Sequence, residues 1–228
     1  MKSTLWITHK FGGLRAMYFY SFFFSFVAGT ALENDDVLLL QHKSSCSNVS
    51  ETSEMDCGGA RMCGILALQM GTGDGVYESI IPQVHGLWPS VPPWGNAPCV
   101  TPTVSFADLP TLASCYQPEG NETTQEQSWF EDHEWEKHGV CAGVKDAADY
   151  FNQVCNLSTR PLQIMQEVRS AGGSLVDAAD QLQDLGICVR SLGPHEQIYL
   201  SACAGPDGRW KLADIHSFAS VCGTSSIV

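Results

Sequence analysis

Apolar residues are spaced along this 228-residue chain with two different periods. Gly64–Gln69 is a short apolar run of strand length, closed by Gly71, Gly73 and Gly75. Ile80–Leu87 reads as a second strand that runs into a proline-rich stretch, Pro89–Pro118. The middle of the chain changes to helical spacing. Ser128–Val140 predicts a helix with Ser128 as N-cap and Gly139 as its stop. Asp146–Val154 and Pro161–Ser170 predict two more, the second with Pro161 in its first turn, and Leu175–Leu185 another, ended by Gly186. Gln197–Cys203 and Arg209–Ile215 alternate as strands do, joined by Gly205-Pro-Asp-Gly208. Strands, then helices, then strands again imply an α+β domain with a mostly antiparallel sheet.

The first thirty residues follow neither period. Lys2, Lys10 and Arg15 precede an apolar run, Ala16–Gly29, and small residues follow at Gly29, Thr30 and Ala31. This is the layout of a signal peptide over residues 1–31, whether translation starts at Met1 or Met17. The run is shorter than the ~20 apolar residues that a membrane anchor needs. Residues 32–228 then form a single domain.

All ten cysteines (46, 57, 63, 99, 115, 141, 155, 188, 203 and 222) follow that segment. An even number in an exported chain implies a disulfide framework. No two cysteines are closer than six positions, which excludes the paired spacing of a zinc ribbon. Sequons at Asn48, Asn121 and Asn156 agree with passage through the secretory pathway and are expected glycosylation sites. Residues 33–63, polar and holding three of the cysteines, are expected to be a stapled N-terminal segment.

Charge complicates the choice of partner. The formal net charge is −13, and loss of the three basic residues in the leader takes it to −16. Such a field repels a polyanion at neutral pH. Six histidines remain after cleavage, and their protonation relieves the repulsion only in acid. The composition therefore fits either an acidic compartment or a partner that is not a polyanion.

Two clusters carry candidate chemistry. In His133-Glu-Trp-Glu-Lys-His138 the histidines stand at i and i+5, one residue too far apart for the H-E-x-x-H zinc motif. At about 100° per residue, a helix would gather His133, Glu134, Lys137 and His138 within half its circumference. A surface salt-bridge face accounts equally well for that grouping. Val84-His-Gly-Leu-Trp-Pro-Ser90 supplies a further histidine, His85, and a tryptophan, Trp88. Paired imidazoles suit a reaction that takes a proton from one oxygen and gives one to another. Gly71-Thr-Gly-Asp-Gly75 lacks the ending of a phosphate loop and is a plain turn.

Together, His85-Gly-Leu-Trp-Pro89 and Phe130-x-x-His-Glu-Trp-x-Lys-His-Gly-x-Cys141 resemble the two signature segments of the ribonuclease T2 family. The resemblance extends thinly from about residue 64 to 222, through Gln69, Tyr150-Phe151, Cys188 and Gln197-Ile-Tyr-Leu200. It implies a metal-independent endoribonuclease that needs no cofactor and cuts single-stranded RNA, not DNA, through the substrate's 2′-hydroxyl. His138 would be the general base and His85 the general acid. Lys137 and Glu134 would stabilise the transition state, His133 would hold the phosphate, and Trp88 would stack on a base. It further implies bridges Cys99–Cys141 and Cys188–Cys222. A monomer in an extracellular or lysosome- or vacuole-like acidic location is expected, with fastest cleavage at about pH 4.5–6. Net charge and Glu134 are expected to raise the affinity of the base for its proton.

Three positions depart from the pattern: Met70 for a tryptophan, Val140 for a threonine, and Ser90 where fungal members often carry a base-reading aspartate. An inactive binder on the same scaffold would lack His85 or His138, and both are present. A zinc hydrolase is disfavoured by the histidine spacing.

Overall fold

A computed structural model describes residues 46, 54–103, 113–116 and 124–223. Residues 42–228 form one compact unit. The expected leader, the boundary at residues 31 and 32, and the sequons at Asn48 and Asn121 lie outside the described residues. The described part is α+β, with one five-stranded antiparallel sheet and four α-helices. In chain order its elements are β1 (Met62–Gln69), β2 (Gln83–Pro89), α1 (Thr124–Lys137), α2 (Ala147–Ser170), α3 (Leu175–Asp184), β3 (Val189–Gly193), β4 (Gln197–Ala204), β5 (Trp210–Leu212) and α4 (Phe218–Cys222).

The strands lie in the order β2-β1-β4-β3, with β5 also paired to β4. Register decides which face each side chain serves. Leu66 and Leu68 of β1, Leu87 of β2 and Ile198 and Leu200 of β4 share one face, all fully buried. Helix α2 covers that face with Tyr150, Phe151, Val154, Ile164 and Met165. Tyr150 fixes the contact, its hydroxyl donating to the Leu87 carbonyl and accepting from the Leu87 amide. The other face carries Gln69, Gln83, Gln197, Trp88 and Tyr199, and is the polar one.

The helices differ from the sequence expectation in three places. Helix α2 is continuous over 24 residues and carries Pro161 inside it. An interior proline costs ~3 kcal/mol, but the apolar face on both sides of Pro161 packs against one sheet, which holds the two halves in line. Helix α1 begins four residues before Ser128, so Ser128 is not its cap. It ends at Lys137, and a separate 3-10 turn, Gly139–Cys141, follows. Strand β3 is absent from the sequence expectation because its sequence, VRSLG, is short, partly polar and on a sheet edge.

Five disulfides join the described cysteines: Cys46–Cys188, Cys57–Cys63, Cys99–Cys141, Cys115–Cys155 and Cys203–Cys222. Cys99 is bonded to Cys141, as the resemblance implies. The implied Cys188–Cys222 pair is not formed. Cys222 lies on α4, which packs on β4, and takes Cys203 of that strand. Cys188, at the head of the edge strand β3, is bonded instead to Cys46 in the N-terminal segment. None of the helices among the described residues is long and apolar enough to cross a membrane.

Candidate active site

The site begins with an irregularity in β2. Gly86 pairs with Ala67 of β1 and Val84 with Leu68, which leaves His85 as an extra residue between them. A bulge of this kind re-aims a side chain out of the ladder. Nδ1 of His85 lies 3.0 Å from Nε2 of Gln197, and Nε2 lies 3.5 Å from a carboxylate oxygen of Glu134. The ring also meets Trp88 edge-on at 4.9 Å and Phe130 at 5.2 Å between centroids.

Glu134 comes from α1 and is 1% exposed. Its second carboxylate oxygen accepts a 2.9 Å hydrogen bond from the indole nitrogen of Trp88. Its approach to β2 needs Gly86, because a β-carbon there would collide with the carboxylate. The glycine of the first motif is thus a packing requirement. Trp88, half-buried, lies against His85, His138 and Tyr199.

His138 stands at the junction between α1 and the 3-10 turn, with non-helical backbone angles of −126° and −47°. Its amide still donates to the Glu134 carbonyl at 3.0 Å, which keeps it one turn above Glu134. Its ring lies 5.3 Å from Trp88. Burial pushes the imidazole down to about 4; Glu134 works the other way, while His133, His85 and Lys137 add to the depression. The upward shift expected from net charge and Glu134 is therefore not found, because loss of water around the charged ring outweighs one carboxylate.

Lys137 and His133 are exposed on α1, close enough for their charges to act on His138. His133 is stacked on Trp129 at 5.7 Å. Ser90 is fully buried, with its hydroxyl toward the sulfur of Met55 at 3.4 Å. Asn156 is exposed on α2, while Ser158 of its sequon is buried and donates to the Cys155 carbonyl.

Two buried polar residues near the site are missing from the sequence expectation. Gln197 lies in neither motif, and only its register with Gln69 and Gln83 places it on the polar face. Glu131 precedes His133 on α1, accepts from the Ala113 amide at 2.8 Å and is pushed up by burial to about 7. The amide that it accepts from lies outside α1, in a different part of the chain. The described residues contain no group of three His, Cys, Asp or Glu side chains able to hold a metal ion.

Comparison with individually curated proteins finds no match. Residues 73–172 match the family model described as Ribonuclease T2 family. That segment is shorter than the resemblance traced from 64 to 222, and it leaves out β1 and the C-terminal strands. It contains both histidine motifs, the loop between them and all of α2, so the part of the chain that is similar to the ribonuclease T2 family is the part that builds the cluster around Glu134.

Proposed function

We propose that this chain is an RNA-cleaving endoribonuclease and that it opens the RNA chain with the substrate's own 2′-hydroxyl. His138 takes the proton from that hydroxyl as the oxygen bonds to phosphorus. The bond from phosphorus to the 5′-oxygen breaks, and His85 gives its proton to the departing oxygen. The product is a 2′,3′-cyclic phosphate. Water then opens it to a 3′-phosphate with the roles exchanged, His85 taking the proton of water and His138 returning one to the 2′-oxygen.

One observation carries the reading: two imidazoles lie against one indole, Trp88, beside one buried carboxylate, Glu134. Their surroundings suit different tasks. A base must be neutral, and burial that holds His138 at about 4 keeps it neutral through mildly acid pH. The acid limb of the rate profile should therefore fall near pH 4. RNA repulsion by the net charge, −13 for the full chain and −16 once the three basic residues of the leader are lost, rises toward neutrality. Together these support an optimum at about pH 4.5–6 that moves upward with added salt. Lys137 offsets charge on the phosphorane-like transition state, Glu134 supports it by hydrogen bonding, and His133 holds the phosphate. The uncovered part of Trp88 stacks on a base. Export by a cleaved leader to an extracellular or vacuole-like acidic compartment, and glycosylation at Asn48, Asn121 and Asn156, complete the reading.

Digestion of RNA at pH 5 with EDTA, followed by identification of the ends, tests it. Cyclic phosphates should form first, and DNA or 2′-O-methyl RNA should stay intact. His85→Ala and His138→Ala should each lose at least ~10²-fold in kcat with secretion preserved. Cleavage of DNA at a comparable rate, or full activity in either variant, contradicts the assignment.

A further inference from the structure

We infer that Gln197 is a positioning residue for His85, turning its side-chain amide to suit the ring and thereby keeping Nε2 as the nitrogen that faces the site. The inference rests on the assignment of His85 as general acid. Gln197 opens β4, outside both motifs and outside the matched segment 73–172. It is 2% exposed, and its Nε2 is 3.0 Å from Nδ1 of His85. Its Oε1 is buried with no hydrogen-bond partner.

That orphaned oxygen carries the argument. A buried acceptor without a partner costs ~1–3 kcal/mol, so a site that keeps one has a reason to. With the amide nitrogen toward His85, Gln197 donates to Nδ1. The neutral ring then carries its proton on Nε2, 3.5 Å from Glu134. Once His85 is charged, Nδ1 also bears a proton and needs an acceptor. A half-turn of the amide puts Oε1 there, because the two ends of a glutamine amide are nearly the same size. The general acid loses its Nε2 proton in the first step and recovers one in the second. Gln197 can meet both forms without moving the ring, and it seals Nδ1 from the substrate. The other titratable groups facing His85 are Glu134 on α1, His138 after that helix, and Tyr77 before β2, while Lys137 and His133 on α1 act on His138.

Two variants separate positioning from bulk. Gln197→Met keeps the volume but offers no hydrogen bond, and should lower kcat at least ~10-fold with KM for RNA unchanged. Gln197→Glu can only accept, and so favours the charged ring. Its alkaline limb for RNA cleavage should move up by about one pH unit or more, and hydrolysis of the cyclic phosphate, which needs neutral His85, should slow so that cyclic ends accumulate. Long-range ¹⁵N spectra of the wild-type protein give a readout without substitution: neutral His85 should hold its proton on Nε2. A neutral ring protonated on Nδ1, or pH profiles of both variants that superimpose on wild type, overturns the inference. His85→Ala is run alongside. If it keeps full activity, the acid assignment itself has failed; if it is inactive while the Gln197 profiles are unchanged, the failure belongs to Gln197 alone.

Discussion

Glu134 shows how much one buried carboxylate can organise. It faces His85, accepts from Trp88 and lies one turn below His138, so a displacement of its carboxylate reaches three rings. The space for it comes from a missing side chain, that of Gly86. Gly86→Ala should push Glu134 out of line and lower kcat by about 10²-fold, since misplacement by ~1 Å has that scale of effect. Loss of the indole hydrogen bond should appear in the tryptophan fluorescence of the same variant. A Gly86→Ala enzyme of normal rate would show that the carboxylate has room to spare. At this scale the motifs make His85, Trp88, Glu134 and His138 legible as candidates, because imidazoles beside a carboxylate already suggest proton transfer. Gln197 and Glu131 are not legible, because an amide or a carboxylate becomes unusual only once burial is known. The direction of the His138 shift is hidden for the same reason: sequence counts charges but does not show the loss of water.

Helix α1 has no apolar stripe to hold it down. Its buried residues are Glu131, Glu134 and Trp135, two of them carboxylates, so hydrophobic spacing could not place its ends. Its position depends on the 3-10 turn Gly139–Cys141 at its C-terminal end. That turn is bonded through Cys141 to Cys99, and Gly143 donates to the Val100 carbonyl at 3.0 Å. Cys99→Ser should therefore cost ~2–5 kcal/mol of stability. The activity of the protein that still folds should also fall, because His138 stands between α1 and that turn. Unchanged melting of Cys99→Ser would show that α1 is held by other contacts. The sheet is more legible than the helices. Strands β1 and β4 keep long buried runs and β2 is mostly buried, whereas Pro161 hides the continuity of α2 and the brevity of β3 hides that strand.

For the whole molecule, two buried groups near the site pull stability in opposite directions with pH. His138 is held at about 4 in the folded chain against a usual 6.5, so its contribution is complete above 6.5 and is lost as pH falls toward 4. Glu131 is raised to about 7 from a usual 4.5, so folding gains as pH falls from 7 to 4.5. Between pH 4.5 and 6.5 the unfolded chain takes up a proton at His138 while the folded chain holds one at Glu131, and the two slopes nearly cancel. The melting temperature should change little over that interval on account of these groups. Glu131→Gln removes one side of the balance, and stability should then fall with acid by on the order of 2 kcal/mol. Thermal melts of both proteins across this range test the sign, and parallel curves would refute the compensation.

The register of β1 against β4 has a consequence for biosynthesis. It sets Cys63 directly opposite Cys203, yet each is bonded elsewhere, to Cys57 and to Cys222. Opposed residues in an antiparallel pair bring their β-carbons within ~4.5–5.5 Å, close to disulfide reach. A strand pair that assembles before its own bridges close therefore presents a local wrong partner. Oxidation of the reduced chain should trap a Cys63–Cys203 isomer, detectable by peptide mapping, and thiol exchange catalysed by a disulfide isomerase should resolve it. The order in which sulfurs meet, and not only the final set of bridges, then governs the yield of active enzyme.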